Sequence, residues 1–169
     1  MADPTYRDLG DHSETIQIDY DPAQISYQEL LDVFWSSHSP TARPWSRQYA
    51  SIVFYHSQEQ KRLAEASRDR EAAIRESPIY TEIVPFAKFY LAETYHQKYR
   101  LQQVPDLLRE FRAIYPRDDE FIYSTAAARV NGYLGGYGTL AALQGGIEGL
   151  GLSPAARQQL LDLVSARSP

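Results

Sequence analysis

The sequence predicts an α/β (α+β) fold, because strand-like and helix-like runs follow one another along its first half and helix-like runs fill the rest. Three observations carry this. Ile16, Ile18 and Tyr20 alternate with Gln17 and Asp19, the period of a half-buried strand, and Asp21-Pro22 ends it. Ile52-Val53-Phe54-Tyr55 is a continuous apolar run bounded by turn residues, the pattern of a central strand covered on both faces. Two capping boxes, Ser26-Tyr27-Gln28-Glu29 and Ser57-Gln58-Glu59-Gln60, each start a helix.

The first helix presents Tyr27, Leu30, Leu31 and Phe34 on one face and stops near Ser36–Pro40. A loop from Pro40 to Gln48, carrying Arg43, Pro44, Trp45 and Arg47, leads into the apolar strand. The second helix should run to about Glu76. Its Arg, Glu, Gln and Ala content leaves only Leu63, Ile74 and alanines to bury, so it reads as a solvated outer helix, broken by Ser77-Pro78. Ile79, Thr81 and Ile83 alternate with Tyr80 and Glu82 as a further strand. Val104–Ile114 is a helix with Leu107, Leu108, Phe111 and Ile114 on one side. Asp118–Tyr133 reads as one helix with Ile122, Ala126 and Val130 in register, ended by the glycine-rich turn from Gly132 to Gly138. Ser153-Pro154 starts a last helix whose apolar side is Leu160, Leu161 and Val164.

Composition narrows the function classes. A net charge of −5 and no basic run argue against a nucleic-acid surface. No apolar stretch approaches the ~20 residues of a membrane span, and Met1-Ala2-Asp3 carries no signal-peptide pattern, so a cytoplasmic location is expected. With zero cysteines, these residues hold no disulfide, thiolate metal site or thiol nucleophile. The glycine-rich turn is followed by no Lys-Ser/Thr and preceded by no strand, so it fits no nucleotide-binding fingerprint.

The chemistry-bearing residues gather early in the chain. Glu14 stands at the entry of the first expected strand, close to the Tyr6 phenol, and a carboxyl beside a phenol can polarise or protonate an oxygen atom. A plain edge strand with a surface glutamate is the alternative. Trp45 supplies either an apolar pocket wall or an ordinary exposed loop tryptophan. The aromatic-dense run Phe89–Tyr99 adds Tyr95 and His96 as candidate substrate contacts; the bland reading is that Tyr95 and Tyr99, four apart, pack on a helix. His12-x-Glu14 offers two metal-ligand types, but His38, His56 and His96 lie in other elements, so no metal is expected.

The motifs in sequence are Pro4-Thr5-Tyr6, Gly10-Asp11-His12-Ser13-Glu14, Tyr20-Asp21-Pro22, Ser26-Tyr27-x-x-Leu30-Leu31-x-x-Phe34, Gln48-Tyr49, Thr81-Glu82-Ile83 and Phe89–Tyr99. Together they resemble the class A peptide-methionine sulfoxide reductases. The resemblance implies a mixed sheet with helices packed on it, a ferredoxin-like sandwich here lacking its first strand and helix. It implies a reductase-like domain over 1–115 and, as in one branch of the family, a C-terminal helical extension over 116–169. In that family a cysteine in a Gly-Cys-Phe-Trp segment attacks the sulfoxide sulfur. A glutamate matched by Glu14 protonates the oxygen, and tyrosines matched by Tyr6 and Tyr49 bond it. The resulting sulfenic acid resolves to a disulfide that thioredoxin or a dithiol reduces, with no bound cofactor.

This chain departs from the pattern in three places. The Gly-Cys-Phe-Trp segment is absent, the loop before Gln48 is a short Pro-Trp-Ser version without the family's aspartate, and Tyr137 stands where a resolving cysteine can sit. A truncated product and a start assigned too late both explain the beginning. The expectation is a family protein inactive as it stands; a pseudoenzyme that binds methionine sulfoxide peptides or an active paralogue is the alternative. An uncovered sheet edge would make it marginally stable or homodimeric.

Overall fold

The computed structural model describes residues 10–167, so Tyr6 and the Pro4-Thr5 pair lie outside the described residues. The chain forms two compact units, Met1–Leu91 and Ala92–Pro169. The fold is α+β, with helices predominating and one small sheet among the described residues.

In the first unit, α1 (Tyr27–Ser36) has the expected capping box: Ser26 Oγ accepts from the Glu29 N–H, and the Glu29 carboxylate accepts from the Ser26 N–H at 2.7 Å. β1 (Ile52–Tyr55) leads through α2 (Gln58–Arg75) to β2 (Glu82–Pro85). The strands pair in parallel, Ile52 opposite Glu82 through Tyr55 opposite Pro85, and a parallel pair needs such a crossover. Ser57 caps α2, Arg62 with Glu59 (2.6 Å) and Lys61 with Glu65 (3.8 Å) line its outer surface, and Arg75 pairs with the largely covered Glu71 (3.0 Å) and donates to the Trp35 carbonyl.

The core of this unit is Leu31, Trp35, Val53 and Ala64, with Tyr27, Phe34, Leu63, Ile79 and Ile83 packed around it. Trp35, absent from the four-residue face read from sequence, is the largest buried side chain, 1% exposed. Its indole N–H donates to Ser67 Oγ at 3.0 Å, and the Ser67 hydroxyl donates to the Ala64 carbonyl at 2.8 Å, so the buried indole and hydroxyl are both satisfied. Ser67 is therefore the polar residue that α2 buries, whereas Ile74 is exposed.

Three strand expectations need correction. Residues 16–20 form no strand, and Ile16 and Ile18 are exposed. Alternation alone makes no ladder, and no strand pairs with this segment among the described residues. β1 is not covered on both faces: Val53 is buried against the helices, while Ile52 and Phe54, pointing the other way, stay half-buried. The later strand keeps its predicted phase, with Thr81 buried and Ile79 and Ile83 on the core, but its ladder begins at Glu82. The buried Thr81 hydroxyl meets His38 Nε2 at 3.3 Å. His38 Nδ1 lies 2.7 Å from the Phe34 carbonyl, to which it donates, closing the end of α1.

The second unit is helical among its described residues: α3 (Tyr99–Gln102), α4 (Pro105–Ile114), α5 (Asp118–Tyr123), α6 (Thr125–Leu134), α7 (Leu140–Gly146) and α8 (Pro154–Ser165). Its core includes Leu101, Leu107, Phe111, Phe121, Val130, Leu143 and Leu160, all fully enclosed. The single helix expected over 118–133 is two helices. Ser124 leaves the helical conformation and its hydroxyl accepts from the Ala127 N–H at 3.0 Å, so a local cap breaks the run. α7, hidden in the sequence by its flanking glycines, is started by the Thr139 cap. Ile114, expected on the apolar side of α4, is 42% exposed. The Asn131 side-chain oxygen accepts from the Arg100 and Leu101 N–H groups at 2.8 and 3.2 Å, capping α3 from α6.

Glu110 of α4 accepts from the Ser153 hydroxyl (2.5 Å) and N–H (2.8 Å), and the same hydroxyl caps α8. These bonds, the hydroxyl's first, hold the carboxyl below its ordinary value of 4.5. A lowered folded-state pKa adds stability above the unfolded-state value, and that stability is lost as pH falls through the folded-state value. Glu110→Gln should therefore flatten the decline in urea midpoint between pH 7 and pH 3. An unaltered decline would show that the bonds do not discriminate the two charge states. Water reaches this carboxylate, so the effect is small.

Candidate active site

Glu14 lies on the exposed segment that follows the Gly10-Asp11 turn, where Gly10 has a φ of +56°. Two clasps join this segment to the loop entering β1. The Glu14 N–H donates to the Gln48 carbonyl at 2.9 Å, and the Gln48 side-chain amide donates to Glu14 Oε1 at 2.8 Å. One residue back on each side, the Ser13 hydroxyl donates to the Arg47 carbonyl at 2.7 Å. Arg47 in turn reaches Glu82 at the start of β2, 2.5 Å away, and the Glu82 N–H donates to the Ser51 carbonyl at 3.0 Å. The glutamate is thus anchored through the loop to the sheet.

The same loop carries two of the aromatic candidates. Trp45 and Tyr49 stack with ring centroids 4.8 Å apart at 29°. Trp45 is 82% exposed and Tyr49 41%. The loop is fastened to the strand side by the Tyr80 N–H, which donates to the Pro40 carbonyl at 2.8 Å, and by Arg43 over the Tyr80 ring at 4.9 Å. His12 faces Asp11 at 3.8 Å and meets the Tyr90 ring edge-on at 5.1 Å. Among the described residues no group of three or more His, Asp or Glu side chains is placed to hold a metal ion.

The structure therefore places Glu14 against the residue preceding Tyr49 and sets Trp45 on Tyr49. Tyr6 lies outside the described residues. Tyr95 and His96 belong to the second unit, where their rings lie 4.3 Å apart, tilted at 43°, within a single 3₁₀ turn, Thr94–His96. Lys98 follows in a left-handed conformation, φ 51°, which separates that turn from α3, so Tyr95 and Tyr99 do not share a helix. Sequence reasoning missed Gln48 and the Arg47–Glu82 pair. Gln48 stood beside a candidate tyrosine, but nothing in the spacing pairs residue 48 with residue 14.

The geometry offers a carboxyl, held by a neutral donor and open to water, on a segment joined to the loop that carries a stacked aromatic pair. Such a carboxyl can give a proton or hydrogen bond to an oxygen, and the rings can meet an apolar group.

Comparisons with known proteins identify the family. The family model "Peptide methionine sulfoxide reductase" matches residues 1–129, and "Selenoprotein methionine sulfoxide reductase A, helical domain" matches residues 117–164. The chain is 45% identical to a peptide methionine sulfoxide reductase of Drosophila melanogaster over 157 residues, 92% of this chain and 63% of that protein. It is 41% identical to peptide methionine sulfoxide reductase A5 of Oryza sativa, over 78% of this chain and 54% of the relative. It is 42% identical to MsrA of Methanosarcina acetivorans, over 64% and 65%. The chain spans between about half and two thirds of the length of these curated relatives. With the family model covering most of its length, the chain belongs to the peptide methionine sulfoxide reductase family.

Proposed function

We propose that these 169 residues form the oxygen-binding side of a peptide methionine (S)-S-oxide reductase, acting on methionine sulfoxide in proteins, with the thiolate supplied by polypeptide outside them. The observation that carries this is the Glu14 carboxyl clasped onto the loop that bears Tyr49 and Trp45. In the reaction, the thiolate attacks the sulfoxide sulfur and forms a sulfur–sulfur bond, while Glu14, with Tyr49 and Tyr6, bonds and protonates the sulfoxide oxygen. That oxygen passes to the cysteine sulfur as the sulfur–sulfur bond breaks, releasing the thioether and leaving a sulfenic acid, which a second thiol converts to a disulfide with loss of water. Thioredoxin or a dithiol then returns two electrons. Trp45 is the proposed substrate contact on this loop, and the cytoplasm, where such reductants are kept, is the proposed setting. No described helix is long and apolar enough to cross a membrane.

With no cysteine in the sequence, the chain alone, given a methyl sulfoxide substrate and dithiothreitol, should reduce it only at the background rate. Clear turnover would overturn the assignment of the sulfur chemistry to a separate thiolate. The half-buried Ile52 and Phe54 side of β1 and the edge of a two-stranded sheet are where a completing segment or a second copy would pair. Light scattering on the same preparation should show dimers, and a stable monomer removes the second copy.

A further inference from the structure

We infer that Gln48 is a positioning residue for Glu14: its side-chain amide fixes one carboxyl oxygen so that the other faces the sulfoxide oxygen. The inference rests on the functional reading above and goes beyond it in naming the group that aims the acid. Glu14 is exposed, and a free glutamate side chain on an exposed segment samples several rotamers. Here the half-buried Gln48 holds it at two points, main chain to main chain and amide to Oε1. The backbone bond sets where residue 14 starts, and the amide bond sets where its carboxyl ends.

The type of donor matters as much as its place. A group that must hand a proton to a sulfoxide oxygen has to be protonatable, and a cation bonded to it favours the charged form more strongly than a neutral donor does. Arg47 is the residue next to Gln48, and its guanidinium is engaged by Glu82 at 2.5 Å. Glu14 receives the neutral amide instead. Glu82 has a second role in this arrangement: besides anchoring the loop to β2, it draws the neighbouring positive charge to the strand.

The test is a titration of the full chain with N-acetyl-methionine sulfoxide, followed by NMR, with the corresponding sulfide as control. Loss of one neutral hydrogen bond corresponds to about fivefold. Gln48→Leu should weaken sulfoxide binding by that factor and leave sulfide binding unchanged. Gln48→Glu, nearly the same shape, can donate only when protonated. Its sulfoxide affinity should lie below that of the unsubstituted chain at pH 7 and close on it toward pH 4, a narrowing gap that a purely structural role would not produce. Equal sulfoxide binding by the unsubstituted chain and Gln48→Leu overturns the positioning role and leaves the functional reading standing. Failure of the unsubstituted chain to bind sulfoxide in preference to sulfide overturns the functional reading, and the role with it.

Discussion

Trp35→Ala is expected to cost the first unit about 3–5 kcal/mol, the range for deleting a large buried aromatic side chain. The indole is 1% exposed in a four-residue core, so few neighbours can close the cavity. A small unit of marginal stability should largely unfold on that loss. Trp35→Phe keeps most of the volume and gives up the bond to Ser67. Because the Ser67 hydroxyl still donates to the Ala64 carbonyl, that variant should lose only about 1–2 kcal/mol. Urea unfolding followed by far-ultraviolet circular dichroism measures both. A Trp35→Ala midpoint within error of the parent would mean the core does not depend on this side chain.

The second large effect is expected from Phe111→Ala, again about 3–5 kcal/mol, now in the helical unit. Phe111 is fully enclosed in the cluster with Leu101, Leu107 and Phe121, and its ring stacks on Tyr115 at 6.3 Å. Phe111→Leu, which keeps an apolar group, should cost well under half as much. Both tryptophans of the chain lie in the first unit. Loss of helix signal at lower urea in Phe111→Ala is therefore the readout, and an unchanged helix transition would sink the prediction.

Most of what could be read in advance was local. Ser26 with Glu29, Ser57 before α2 and Ser153-Pro154 before α8 each satisfy the first turn of a helix from residues a few positions away, and all three helices begin where those signals say. Strands are another matter. The alternation at Ile16–Tyr20 is as regular as that at Ile79–Ile83, yet among the described residues only the latter has a partner strand, and pairing is decided by distant residues. Trp35 was overlooked because it sits at the edge of the helical stripe, where burial depends on what α2 brings over it. Ser67 was overlooked because a serine in a charged helix carries no sign of an indole waiting for it. The site divides the same way. Glu14, Tyr49 and Trp45 were legible as residue types and motif positions, whereas the Gln48 clasp and the Arg47–Glu82 pair join segments far apart in sequence.

The parallel pairing of β1 and β2 has a consequence in time. No ladder bond can form until the chain has doubled back across the whole of α2, and closing a floppy loop of that size delays every contact that follows. α2 shortens the search, because its Ser57 cap and its acid–base pairs favour a rod before anything docks on it. Charged residues that add little to the finished sheet thereby bear on how quickly it assembles.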